Sequence, residues 1–337
     1  PPPPPPPPPL IPSLTRHTRL VSDWSSDVCS SDLSMDIGFV GLPMEDSASG
    51  DAPSWSDFRA YATAAEAAGF DIVWVPDELL WESEDGKSAS GWWECVALCG
   101  AIAASTNTIQ VGSWVLSALH RNPALTAKAA ATIDEISGGR FVLGFGAGHS
   151  ARQGEAFGYP PDRIVSRYEE ALAIVIDLLR TGSSDRTGTY HSTTRLSHRP
   201  AGPRPPGIPI RLAGHGPRNI TMAATHGDCW SAFATTSSQP EAFTDMMGLV
   251  ERTCEEVGRD PGSIGRSIGI AVAPPGRPAT GFWEDGDPVM GSFDEIVDTL
   301  GRFTDMGVTR LEIMAVGDQI SAIEELAPVV AALSEGS

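Results

Sequence analysis

The chain of 337 residues carries 23 Lys and Arg against 43 Asp and Glu, a formal net charge of −20. So acidic a balance, with no long basic run, disfavours nucleic acid and anionic membranes as partners, because both are bound through clustered Lys and Arg. No apolar stretch reaches the roughly eighteen residues that a spanning helix needs, so the chain reads as a soluble, cytoplasmic protein.

The first 34 residues open with nine prolines. They contain neither the basic segment nor the apolar segment of a secretory signal. The string from Asp23 to Leu33 resembles a reading frame of a common sequencing-adapter oligonucleotide. Residues 1–34 are therefore expected to be a translated artefact outside the fold, the alternative being a polyproline spacer ahead of a disordered tail. Removing them changes the charge by one, since they hold Arg16 and Arg19 against Asp23, Asp27 and Asp32. One domain over 35–337 remains.

From Met35 onward one pattern recurs: short apolar strand, loop, amphipathic helix, glycine, next strand. Asp36 to Leu42 reads as the first strand. Ser54 and Asp57 form a capping box for a helix carrying Phe58, Tyr61, Ala62 and Ala65. Asp71 to Val75 is the second strand, and Pro76-Asp77-Glu78 follow it. A helix over about Trp92 to Ala104 holds Cys95 and Cys99 on one face, where they read as small core residues. Ile109 to Val115 is the third strand. Asn122 then caps a helix that has Pro123 in its first turn.

The fourth strand lies in Gly138-Gly139-Arg140-Phe141-Val142-Leu143-Gly144-Phe145-Gly146-Ala147-Gly148-His149. A short apolar run between glycines reads as a strand buried on both faces of a parallel sheet. Glycines at its exit let backbone approach a bound molecule closely. A glycine-rich turn without a ligand fits the spacing equally well. It is not the dinucleotide fingerprint, because His149 stands where the third glycine belongs.

Tyr168, Ala171, Leu172 and Val175 mark the next helix. Residues 181–208 are a polar, proline-rich excursion long enough for a lid or an insertion. Ile208 to Ala213 is the fifth strand, and Gly214-His215-Gly216-Pro217 opens a helix. Such a start is an anion site in the making, with Arg211, His215 and Arg218 beside it, unless it is an ordinary capped helix. Asp228 to Phe233 is the sixth strand, and Ser238 with Glu241 reads as a second capping box. The seventh strand is Ser267 to Ala273, followed by a Pro- and Gly-rich insertion to Gly291. Ser292 and Glu295 cap the next helix, and Thr309 to Met314 is the eighth strand. Gly69, Gly227 and Gly307 each sit where a helix ends in the left-handed conformation. Eight strand–helix pairs predict a single (β/α)8 TIM barrel with insertions after strands 4 and 7.

Chemistry in such barrels gathers at the carboxyl ends of the strands. There the chain offers glycine, tryptophan and backbone rather than grouped metal ligands. No HxH, HExxH or GxSxG occurs, which argues against a metal or serine hydrolase.

Four segments and a short fifth carry a family resemblance. They are Gly69-Phe70-Asp71-Ile72-Val73-Trp74-Val75-Pro76-Asp77, Arg121-Asn122-Pro123-Ala124-Leu125-Thr126-Ala127-Lys128, Asp134 to Gly148, Ala156-Phe157-Gly158, and Ala213-Gly214-His215-Gly216-Pro217-Arg218. Together they resemble the luciferase-like monooxygenase superfamily of flavin- and deazaflavin-dependent barrels. The resemblance implies that Asp77 faces the edge of the ring cofactor. It implies a strand-three bulge with a cis Trp114–Val115 bond backing the ring, and Ser117 on its polar side. Gly146 and Gly148 would line the pocket, while Gly214, His215, Gly216 and Pro217 would hold the phosphate-bearing side chain. Deazaflavin members usually carry histidine where this chain has Glu78, and tryptophan or glutamate where it has His149. Glu78 and His149 are accordingly the candidate catalytic residues.

The function so implied is hydride transfer between coenzyme F420, a deazaflavin, and a small organic substrate, with no metal. An FMN-dependent monooxygenase using O2 is the alternative, and a non-catalytic flavin-binding barrel the second. Relatives often dimerise, which leaves a homodimer open.

Overall fold

The structure, a computed structural model, describes residues 35–46, 49–82, 89–148, 151–160, 162–204, 207–278 and 287–335. Eight strands form the barrel: β1 (Asp36–Val40), β2 (Ile72–Pro76), β3 (Gln110–Trp114), β4 (Phe141–Gly146), β5 (Ile210–Ala213), β6 (Cys229–Phe233), β7 (Gly265–Val272) and β8 (Arg310–Ala315). All neighbours pair in parallel. The pairing of β4 with β5 and of β8 with β1 closes the ring. The expected TIM barrel is what the chain forms, with helices α1 (Trp55–Ala67), α2 (Cys95–Ser105), α3 (Pro123–Ser137), α4 (Ile164–Ile176), α5 (Pro217–His226), α6 (Thr244–Glu256), α7 (Phe293–Asp305) and α8 (Gln319–Glu335) outside it.

Local chemistry accounts for most helix ends. Ser54 and Ser292 make their capping boxes with Asp57 and Glu295. Asn122 accepts from the backbone of Ala124 and Leu125 ahead of Pro123. Two expectations fail. Gly227 is extended (φ −83°), because its N–H still reaches back to Ala223 and the chain turns straight into β6. Ser238 caps nothing: its hydroxyl accepts the backbone N–H of Ala271 in β7, and α6 is entered through a 3-10 turn at Pro240–Phe243.

Strand periodicity divides the interior in two. Phe141, Leu143 and Phe145 of β4 face outward into the large core beneath the helices, as do Val73, Val75, Ile268, Ile270, Leu311 and Ile313. The inward set surrounds Trp74, which is completely buried with Val40, Ile72, Val142 and Met314 about it. A side chain this large fits only because its neighbours are glycines. A Cβ at Gly38 would lie 2.5 Å from Trp74 Nε1, and one at Gly112 would overlap the ring. The lumen is thus filled at this level, and a cavity opens above it.

The excursion at 181–208 is not a lid. It follows α4 and forms an antiparallel hairpin, Ser183–Thr187 against Ser192–Ser197. It ends beside the amino ends of the strands, where Arg204 binds Asp134 and the carbonyl of Phe141, the first residue of β4. Arg180 similarly holds the carbonyl of Ile208 before β5. The second insertion does lie at the mouth: Val289 bridges to Val272 at the end of β7 and Asp287 bridges to Ser237.

Candidate active site

One wall of the mouth is the interrupted third strand. After Trp114 the chain passes through a cis Trp114–Val115 bond and resumes as Leu116–Ser117, opposite Phe145–Gly146 of β4. The third strand and its bulge explain the glycines of β4. A Cβ at Gly144 would lie 2.0 Å from the carbonyl oxygen of Ser113 and 2.9 Å from Val115 Cγ1, and one at Gly146 would lie 2.8 Å from Val115 Cγ2. Gly148 has φ +82°, and a Cβ there would collide with the Ser117 hydroxyl. The glycine floor therefore receives the bulge as well as opening onto the mouth.

Asp77 ties β2 to that bulge. Its Oδ2 accepts from Ser117 N–H (2.8 Å) and Arg121 Nη1 (2.6 Å), with His120 Nδ1 at 3.2 Å, and its Oδ1 accepts from Arg121 Nη2 (2.7 Å). Burial alone would raise the carboxyl pKa, but the bonds from His120 and Arg121 hold it below the usual range. Arg121 also reaches Glu94, the N-cap of α2, and the His120 ring stacks on Tyr159 with centroids 5.6 Å apart. With both oxygens occupied, Asp77 is a fixed anion that sets the shape of the wall.

Glu78, next along, is half-buried. Gln153, from the short helix Ala151–Phe157, donates to Glu78 Oε2 at 2.7 Å and accepts the backbone N–H of Leu79. One amide thereby fastens the loop after β2 to the loop after β4. His149 lies outside the described residues.

The opposite wall is the β5–α5 turn. Gly214 has φ +152°, and a Cβ on it would strike Asn219. Gly216 is the N-cap of α5 and brings no side-chain cap, with Pro217 at the first position. The outward N–H groups and the dipole of that helix start are left open, which favours an anion. Beside it, Asn219 Oδ1 is buried without a hydrogen-bond partner among the described residues. His215 Nε2 accepts the N–H of Phe233 at 3.3 Å, and burial lowers its pKa toward the neutral form. Arg218 pairs with Glu169 on the surface rather than reinforcing the anion site.

Arg211 also leaves the helix start. It points into the barrel, 2% exposed, with its guanidinium carbon 4.7 Å from the centre of the Trp74 ring. Its Nη2 donates to Glu312 Oε2, and the same carboxylate receives Trp114 Nε1 and the Ser267 hydroxyl. Burial lowers the guanidinium pKa, while Glu312 opposes that shift.

Between these walls is a cavity of about 420 Å³. That is ample for a small ligand, since such sites span about 300–1,000 Å³. Asp77, Glu78, Trp114, Val115, Ser117, Gly146, Gly148, Gly214 and His215 all line it, whereas Gly216 and Pro217 do not. Among the described residues no cluster of three or more His, Cys, Asp or Glu could hold a metal ion. No described helix is long and apolar enough to cross a membrane. The four cysteines there are buried and unpaired, with Cys95 and Cys99 as core neighbours.

Residues 35–278 match the family model described as luciferase-like monooxygenase. The chain belongs to that family. It is 32% identical over 212 residues to an F420-dependent hydroxymycolic acid dehydrogenase of Mycobacterium tuberculosis, which covers 61% of this chain and 56% of the relative. It is also 32% identical over 177 residues to a pyrimidine monooxygenase of Klebsiella pneumoniae, covering 50% and 47%. The chain thus spans about half the length of these curated relatives. In three dimensions it is similar to an F420-dependent secondary alcohol dehydrogenase, with a TM-score of 0.73 at 18% identity, over 89% of this chain and 99% of the other. It is similar too to a monooxygenase of Streptomyces bottropensis, with a TM-score of 0.71 at 17% identity over 88% and 99%.

In this luciferase-like chain most of the residues singled out from the sequence and described by the structure line one mouth, while Gly216 and Pro217 stand beside it and Arg218 faces the surface. His120, Arg121 and Gln153 were missed as site residues. Arg121 lies in the Arg-Asn-Pro segment that carried the resemblance, so it had a signal. Gln153 had none.

Proposed function

We propose that this chain is an oxidoreductase that transfers a hydride between coenzyme F420 and a small organic substrate. The observation that carries the reading is the cavity itself, walled on one side by the strand-three bulge and on the other by Gly214, His215 and Asn219 of the β5–α5 turn, beside the uncapped start of α5. A planar ring with a phosphate-bearing side chain has that shape and charge. Asn219 Oδ1 and Ser231 Oγ, buried at this cavity without partners, are groups that a polar ligand would satisfy.

The bound ring would supply the two-electron chemistry. The protein's part is positioning and proton management. The start of α5, set by Gly216 and Pro217 just outside the cavity lining, would offer the phosphate the backbone N–H groups that follow Pro217, since proline itself has none. Trp114, Val115 and Ser117 form the surface on which the ring rests, kept in place by Asp77 and Arg121. Glu78, its carboxylate held at Oε2 by Gln153, and His149 are the proposed proton carriers for the substrate oxygen.

The relatives named for F420 support this order of cofactors. The relatives named as monooxygenases support an FMN-dependent monooxygenase as the second reading. A cytoplasmic setting without nucleic-acid or membrane partners, and a homodimer, belong to the same proposal. Titrating the purified protein with each cofactor tests it: submicromolar F420 binding with weaker FMN binding is expected. The reverse preference would replace the first reading with the second, and no binding of either would overturn both.

A further inference from the structure

The mouth has a floor whose polarity the proposed reaction does not use. Arg211 and Ser231 both line the cavity, 2% and 1% exposed. Ser231 is opposite Ala213 in the β5–β6 register and Arg211 is opposite Cys229, so the two occupy successive inward layers of adjacent strands. Among the described residues, Arg211 Nε and Nη1 and Ser231 Oγ have no hydrogen-bond partner. Buried donors left unpaired are costly, and native proteins rarely keep several together without a reason.

We propose that Arg211 and Ser231 form a donor subsite on the cavity floor that takes an ionised phenolic oxygen on the buried end of the ring. The subsite rests on the reading that a ring cofactor fills the cavity. A guanidinium can only donate. The imide edge of a flavin-type ring sets an N–H between two carbonyls and so needs an acceptor as well. The nearest carboxylate, Glu312, already receives three donors. The unpartnered acceptor on the β5–α5 side is Asn219 Oδ1, while on the floor the Ser231 hydroxyl can accept or donate and Arg211 only donates. The floor therefore suits an anionic oxygen and the Asn219 side suits the imide. Deazaflavin carries an acidic hydroxyl on its benzenoid ring where FMN carries a methyl group. A methyl group would leave both donors unpaired, and a site built to bond an oxygen rejects a partner that lacks it. Glu312 is a positioning residue here, because it fixes one edge of the Arg211 guanidinium while Trp74 supports its face.

The test compares affinities for F420 and FMN in the wild type, Ser231→Ala and Arg211→Met, and follows the phenol titration of bound F420 by visible absorbance. Arg211→Met is expected to weaken F420 binding by about ten- to a hundredfold, the range for one bond to a charged group, and to leave FMN binding unchanged. Ser231→Ala is expected to give a smaller loss of the same selectivity. Bound to the wild type, the phenol should ionise at lower pH than in free solution, and that shift should disappear in Arg211→Met. Because Arg211→Met strands Glu312, the double variant Arg211→Met/Glu312→Gln repeats the measurement in a charge-balanced barrel. Equal losses for both cofactors, no loss for either, or an unshifted phenol would overturn the subsite. If the wild type binds neither cofactor, the cavity reading falls first and the subsite with it.

Discussion

Gly38 faces Trp74 so closely that a Cβ on the glycine would sit 2.5 Å from the indole nitrogen. Gly112 is closer still on the ring's other edge. The glycines of β1 and β3 are therefore the complement of one tryptophan. Gly112→Ala should cost about 3 kcal/mol or more, since neither backbone nor indole can retreat within a closed barrel. Gly100→Ala, in α2 with nothing within 4 Å, should be neutral or mildly stabilising. Thermal unfolding of the two variants checks the contrast.

Asp77 is the second case of one group organising several. Asp77→Asn removes the charge that Arg121 grips and should destabilise by about 3–5 kcal/mol, the cost of breaking a buried pair. The loss should be visible in the urea midpoint. Cofactor affinity should fall too, because Ser117 and the bulge lose their anchor.

Replacing Glu78 by Gln and His149 by Gln, separately, tests the proposed proton carriers. Each should lower turnover by about a hundredfold or more, the usual range for a general acid or base, with cofactor affinity changed less than threefold. Parallel losses of turnover and affinity would favour a binding barrel instead.

Arg204→Ala tests the placement of the 181–208 excursion. Removing its bonds to Asp134 and Phe141 should destabilise the protein by about 2–4 kcal/mol, while cofactor affinity stays within about twofold. A lid would show the opposite pattern.

The acid limb of the stability curve has an identifiable contributor. Glu66 Oε1 accepts the backbone N–H groups of Asn107, Thr108 and Ile109 and the hydroxyl of Thr108. Burial opposes ionisation, but these four donors prevail and lower its pKa from 4.5 to about 2. A carboxyl depressed on folding binds more protons in the unfolded chain, so its stabilisation is complete above pH 4.5 and is lost as pH falls toward 2. Glu66→Gln should flatten that part of the pH–stability profile.

What the sequence made legible was local. The capping boxes at Ser54 and Ser292, Pro123 behind Asn122, and the open start at Gly216-Pro217 each depend on residues within one turn, and each forms. The strand count also followed, because a short continuous apolar run reports burial on both faces whatever its partner. Long-range competition was hidden. Ser238 had the spacing of a cap, but a backbone N–H 33 residues away claimed its hydroxyl. Arg211 read as an anion-site cation beside the α5 turn, yet its partner Glu312 is 101 residues further along. Gln153 fastens Glu78 from 75 residues away and no spacing announces it.

Trp74 has one more consequence. With the well beneath the mouth stoppered by its indole, the cavity becomes a cul-de-sac. A flat guest held against the bulge, as proposed, would then have the indole's side closed to it, and a second guest would have to arrive from the strands' carboxyl ends.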